Sequence, residues 1–447
     1  MLRYISLCFC LLTTAAGAQT KAQDISFRSP MDIPLYLSGN FGEFRSNHFH
    51  SGIDFKTQGV VGKPVYAVYD GYISRVLVSP WGFGKALYMT HPNGATTVYG
   101  HIKAFSKEVE AYIREQQYKR ESFSVDLILP ASLFPAKKGD LIALSGNEGS
   151  SGGPHLHFEI RDTETEETID PVLFFRNRIK DTRAPILQGM MVYPLENKGI
   201  VNGNTQKQPV KLIKSKSGKQ TMAGKIEAWG EIGFAIKACD YMTETSNIYG
   251  VKEVILTADD EIIFHSNLDR YAFPETRYIN SLTDYVEWKQ HRSSYSKSFV
   301  EPGNKLRFIE SKNRGILKIK EERTYKLSYQ LKDAYGNSTT FTFEVQGKKQ
   351  DIPKVKKPEG TEQFSWTSDN RFGAKGVRLN IPRGNLYTDF NFSYSVKEDE
   401  NAISATHTLH NTLVPLHKEC EISIKLQQET LANKRQYRIV FLYKSHR

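Results

Sequence analysis

The stretch Gly152-Gly153-Pro154-His155-Leu156-His157-Phe158-Glu159-Ile160 places two histidines one residue apart, just behind a glycine and proline turn. The run from His155 to Ile160 alternates and reads as a strand leaving that turn. Strand side chains repeat every second residue. His155 and His157 therefore share one face, and Leu156 and Phe158 share the other. Two imidazoles on one face suit a zinc site in which one ligates and its neighbour handles the proton of a bound water. The same spacing also fits two solvent-facing histidines on a half-exposed strand, so the rest of the chain decides.

A catalytic zinc centre needs about three protein ligands and an open position. His50-Ser51-Gly52-Ile53-Asp54 offers a histidine and a carboxylate four residues apart, again an even spacing in an extended segment. With His157 it makes a His-Asp-His set. His101, after Tyr99-Gly100 at a strand end, offers a fourth imidazole. His48 shares parity with His50 and competes for the same role. Arg45 and Asn47 stand just upstream, either lining a groove or forming an ordinary polar loop. Glu159 has the parity of His155 and His157, which fits either an imidazole-orienting carboxylate or a solvated one. The histidines at 91, 265, 291, 407, 410, 417 and 446 have no such neighbours and read as surface or packing residues.

These elements resemble the LytM/lysostaphin-like zinc metallopeptidases, which cut peptide bonds in bacterial peptidoglycan. The resemblance rests on His50-x-x-x-Asp54, on Tyr99-Gly100-His101 and on Gly149-Ser150-Ser151-Gly152-Gly153-Pro154-His155-Leu156-His157-Phe158-Glu159. It extends over Gly62-Lys63-Pro64-Val65, Asp70-Gly71, Lys138-Gly139-Asp140 and Ser145-Gly146-Asn147, within residues 40–175. It implies a duplicated hybrid motif type of antiparallel, barrel-like β-sheet domain. It implies one Zn2+ held by His50, Asp54 and His157, with His155 and His101 acting on water and substrate. Which of these two is the general base stays open. Family members that have lost ligands serve as non-catalytic regulators of wall hydrolases; all five positions are intact here. The segment 106–135 is longer than is usual between the Tyr-Gly-His and His-x-His elements.

At 447 residues the chain suits roughly two to four domains. Arg3, the apolar run Ile5–Ala16 and the small residues Ala16-Gly17-Ala18 read as a signal peptide over 1–18, cleaved before Gln19. No second apolar run is long enough to span a bilayer. The mature chain is thus expected to have no membrane span and to lie in the periplasm or cell envelope, or outside the cell. Cys8 and Cys10 fall in the leader, and Cys239 and Cys420 remain, either paired or free. The net charge of +11 favours anionic polymers and surfaces. Peptidoglycan is the partner that the resemblance implies. The Lys-rich stretch 206–225 reads as a solvated loop with no nucleic-acid motif beside it, so no nucleic acid is expected.

The expected organisation is mainly β. An extended lead-in over 19–45 precedes the zinc metallopeptidase domain at 46–180. Two-residue turn signals such as Asp70-Gly71 and Asn93-Gly94 imply antiparallel pairing there. A helix is expected over 106–119, capped by Ser106, with Glu108 and Glu110 in its first turn and Val109, Tyr112 and Ile113 on one face. The alternation Tyr325–Leu331, the turn Asp333–Asn337 and the alternation Thr340–Val345 form a hairpin of the kind found in immunoglobulin-like β-sandwiches, assigned to 181–348. A Lys/Pro-rich linker leads to a second strand-rich accessory module over 349–447, ending in a strand at Tyr437–Tyr443. The accessory modules show no cluster of metal ligands and are expected to position the enzyme, or to meet a wall-associated protein partner.

Overall fold

The computed structural model describes residues 26–214, 220–398 and 403–426. The signal peptide, its cleavage site and the strand expected at Tyr437–Tyr443 lie outside the described residues. No described helix is long and apolar enough to cross a membrane. The chain folds into two compact units that interleave in sequence. The first holds the described residues up to Leu35, Lys56–Phe158 and Pro171–Ile179. The second holds Tyr36–Phe55, Glu159–Asp170 and the described residues from Lys180 onward. The strand His155–Asp162 contributes its first half to one unit and its second half to the other.

In the first unit the strands Gly71–Val78, Lys85–Thr90 and Ala95–Gly100 form an antiparallel meander. The turn before Ala95 is made as its sequence requires. Gly94 takes φ +82°, and the Asn93 side chain accepts a hydrogen bond from the Ala95 amide at 3.1 Å. Val76, Leu87, Met89, Val98, Tyr99, Leu156 and Phe158 are completely buried and make the core. The strand His155–Asp162 is buried on both faces, so the half-exposed alternative read from its alternation does not apply.

The helix runs from Lys107 to Lys119 and buries Val109 and Ile113, while Tyr112 packs edge-on against Phe134 at 5.6 Å. Ser106 flanks it but makes no side-chain cap. The start is held instead by Glu110, which accepts from the Phe105 amide at 3.1 Å and pairs with Lys85 at 3.4 Å. The rest of the insertion returns as the strand Val125–Ile128 on the outer edge of Gly71–Val78. It adds an outer strand to the meander.

In the second unit the predicted hairpin is present as Thr324–Lys332 against Ser338–Gly347, with Lys332 opposite Ser338. Tyr325, Leu327, Tyr329 and Leu331 alternate into a core with Val201, Phe234, Leu256 and Val345. The long strands Ile186–Val201 and Ile226–Cys239 pair antiparallel, and Ile226–Cys239 also runs parallel to Ser338–Gly347. The ladder is one continuous path and does not by itself define an immunoglobulin-like pair of sheets. Beyond it, two three-stranded sheets enclose Phe364, Leu379, Ile381, Leu386 and Phe392. Cys239 and Cys420 are free thiols.

Phe158 tests the first core. It lies between Tyr99 and Phe175, with ring centroids 5.3 and 5.7 Å away. Phe158→Ala is expected to cost about 3–5 kcal/mol, since the cavity left in a close-packed interior collapses only in part. Denaturant unfolding of the two proteins measures the difference.

Candidate active site

His50 precedes the strand Ile53–Lys56, Asp54 stands inside it, and His157 stands inside His155–Asp162. All three are buried, and their ligand atoms lie within 4.8 Å of one another. His50 Nε2 is 3.1 Å from Asp54 Oδ1. Its other nitrogen, Nδ1, lies 2.7 Å from the carbonyl oxygen of Asn40. A carbonyl only accepts, so Nδ1 carries the proton and Nε2 presents its lone pair to the cluster. Arg45 reaches Asp54 Oδ2 at 3.3 Å and also pairs with Glu43 at 3.3 Å. Arg45 is therefore part of the ligand surroundings, not an ordinary loop residue. Burial pushes the Glu43 carboxyl up, and Arg45 opposes that shift. Gly39 makes room here, since a Cβ on it would come within 2.7 Å of Asp54 Oδ2.

His101 and His155 stand together in the first unit, ring centroids 4.7 Å apart. Each is oriented by a backbone carbonyl: His101 Nδ1 by Glu148 O at 2.7 Å, His155 Nδ1 by Gly153 O at 2.8 Å. In both, Nε2 is thereby the nitrogen able to accept a proton. The Phe83 ring stacks on His157 at 4.9 Å. The loops carrying Phe83 and Glu148 touch backbone to backbone, for a Cβ on Gly149 would lie 2.3 Å from the Gly84 nitrogen.

The structure separates the remaining candidates. His48 is exposed and bonds the Ser46 carbonyl at 2.8 Å, outside the cluster. His91 is a buried packing residue between the Asp70 carbonyl and Thr97 Oγ1. Glu159 is fully buried, not solvated. It accepts from Ser51 Oγ at 2.5 Å and pairs with Arg161 at 2.6 Å, so it fixes the residue next to His50.

Sequence reading missed the bracing of the ligand segment within the second unit. Asn40 and Gly250 exchange two hydrogen bonds, side-chain amide to backbone, at 2.8 and 2.9 Å. Tyr249 donates to the Leu37 carbonyl at 2.7 Å, and Tyr271 to the Phe49 carbonyl at 2.8 Å. The Phe49 amide donates to Thr276 Oγ1 at 2.8 Å, and Asn280 donates to Asn47 Oδ1 at 3.0 Å. The partners lie more than 200 residues apart, and no local pattern signals them.

His50, Asp54 and His157 each offer a donor atom of a type that zinc accepts. Residues 48–118 match Peptidase family M23. Residues 361–447 match a Zu5-like domain. A metalloprotease of Haemophilus influenzae is 33% identical over 110 residues, 25% of this chain and 18% of its own length. The peptidoglycan DD-endopeptidase ShyB of Vibrio cholerae is 32% identical over 111 residues, 25% of this chain and 20% of its own. The chain thus spans about a fifth of the length of these relatives. A zinc-containing peptidase from Vibrio cholerae aligns in structure at 26% identity and TM-score 0.25, covering 34% of this chain and 40% of that one. The lysostaphin catalytic domain from Staphylococcus simulans aligns at 22% identity and TM-score 0.24, covering 32% and 92%.

The bracing can be broken in two ways. Asn40→Ala removes the clasp on Gly250 while leaving the carbonyl that orients His50. It is expected to weaken metal affinity about 10–100-fold, the usual effect of losing an outer-shell partner. Competition against a chromophoric chelator measures it. A chain ending at residue 180 lacks Gly250, Tyr271, Thr276 and Asn280 together. It should bind metal more weakly than Asn40→Ala in the same assay.

Proposed function

We propose that the chain is an exported, zinc-dependent endopeptidase that hydrolyses peptide cross-links of bacterial peptidoglycan. The observation that carries this reading is that His50, Asp54 and His157 each offer a donor atom within 4.8 Å of the others, while His101 and His155 are each oriented through Nδ1. The donor set fits zinc in type and number, with two neutral imidazoles and one carboxylate. Among the relatives, ShyB of Vibrio cholerae is named a peptidoglycan DD-endopeptidase, and a protein of Neisseria meningitidis a DD-carboxypeptidase/endopeptidase. The basic chain suits an anionic wall polymer.

On this reading His50, Asp54 and His157 would hold a zinc ion, which would supply Lewis acidity and a more acidic water. One of His155 and His101 would accept a water proton at Nε2, and the other would hydrogen-bond the scissile carbonyl oxygen or the leaving amine. Arg45 and the Asn40 carbonyl hold Asp54 and His50 in place through this cycle. Glu159 acts at one remove, by fixing Ser51. The domain assigned to 46–180 carries the chemistry, and the modules at 181–348 and 349–447 support it. The same proposal places the mature chain in the periplasm or cell envelope.

The competing reading is a metal-binding regulator of other wall hydrolases. Muropeptide release from purified sacculi by the full chain supports the enzyme, and its absence with zinc bound supports the regulator. The division of roles has its own test. His157→Ala is expected to lose zinc and activity together. His155→Ala and His101→Ala are expected to keep zinc and lose about 10²–10⁴ in rate, the range for a positioned acid or base. Zinc content beside turnover for each variant checks this, and a metal-free His155→Ala would make His155 a ligand.

A further inference from the structure

A second cluster of ligating side chains stands in the second unit. Asp181 precedes the strand Ile186–Val201, Asp240 follows Ile226–Cys239, and Asp333 opens the hairpin turn between Thr324–Lys332 and Ser338–Gly347. The pairing of Ile186 with Cys239 brings Asp181 and Asp240 together, and bonds from Asn337 Nδ2 to the Asp181 carbonyl at 3.3 Å and from Thr339 Oγ1 to the Pro185 carbonyl at 2.6 Å bring the hairpin turn to them. Each carboxylate offers an oxygen within 4.8 Å of the others. The three residues are only 8%, 4% and 6% exposed.

Their hydrogen bonds are lopsided. Asp181 Oδ1 accepts from the amides of Arg183 and Thr243 at 3.0 and 3.1 Å, while Oδ2 is buried with no partner. Asp333 Oδ1 accepts from the amides of Tyr335 and Asn337 at 2.8 and 2.9 Å, and Oδ2 from the Asn337 side chain at 2.7 Å. Asp240 Oδ1 is buried with no partner. The nearby Arg183 guanidinium lies over the Tyr241 ring at 4.9 Å. Buried carboxylates are stable only when paired, coordinated to a metal or protonated. Burial and the two neighbouring carboxylates push the Asp240 pKa up to about 7.

We propose that Asp181, Asp240 and Asp333 form a binding site for a hard divalent cation, calcium, separate from the His50, Asp54 and His157 centre. An all-oxygen carboxylate set suits calcium or magnesium and disfavours zinc, which the two imidazoles of the other centre attract. Calcium fits better than magnesium because it accepts mono- or bidentate carboxylates in irregular geometry, whereas magnesium demands a near-ideal octahedron. The ion neutralises the cluster, occupies the two unpartnered oxygens and clasps three strand ends. Through them it steadies the module whose Gly250, Tyr271 and Thr276 brace the ligand segment.

The test uses the full chain, stripped over a chelating resin, reloaded with zinc and titrated with calcium chloride. The expected result is one calcium per chain by atomic emission and an upward shift of the unfolding midpoint. Asp240→Asn should weaken calcium binding by more than the roughly 10–100-fold that loss of an outer-shell partner costs. Asp333→Asn should do the same, and Asp240→Asn stands alone if that variant fails to fold, because Asp333 also holds the hairpin turn. His157→Ala should keep the calcium shift. A wild-type midpoint indifferent to calcium overturns the proposal, as does an undiminished shift in Asp240→Asn. A chain made more stable by Asp240→Asn, with no calcium response in either protein, would mean that a shared proton neutralises the cluster. A shift produced by magnesium chloride and not by calcium would overturn the choice of ion.

Discussion

The hydrogen bond from His50 Nδ1 to the Asn40 carbonyl is the contact on which the centre depends. It sets the tautomer of a buried imidazole and aims Nε2 at Asp54. A backbone carbonyl orients only as well as its own peptide is held. Here the peptide is held by the Asn40 side chain, which exchanges two hydrogen bonds with Gly250. The orientation of His50 is thus set through a residue 210 places beyond Asn40 in the chain.

This changes what the downstream module is for. Its strand-rich core resembles an appended domain when read from sequence, yet its Tyr249, Tyr271, Thr276 and Asn280 bond to the segment between Leu37 and Phe49. Burying an imidazole and a carboxylate together is costly unless each polar atom has a partner. The short ligand segment cannot supply all of those partners itself.

The elements legible in advance are those whose signal is local. His155 and His157 declare a shared face through a period of two, and the Asp333–Asn337 turn declares a hairpin. The helix is legible from its apolar face, although its start is held by Glu110 and not by Ser106. The parts that escape are those made by distant pairing. Arg45 shows no motif, because its meaning lies in reaching Asp54. Glu159 reads as a candidate solvated residue until Arg161 and Ser51 are seen around it. Asp181, Asp240 and Asp333 are three unremarked acids at separate turns until the strand register gathers them.

The close approach of Gly84 and Gly149 has a consequence for how such a chain diverges. One loop carries the ring that stacks on His157, and the other carries the carbonyl that orients His101. Because their backbones touch, a side chain acquired at either glycine displaces the other loop. Descendants that alter one of these loops must therefore alter both, or neither. Divergence is channelled away from this pair, toward parts of the surface that pack on neither His157 nor His101.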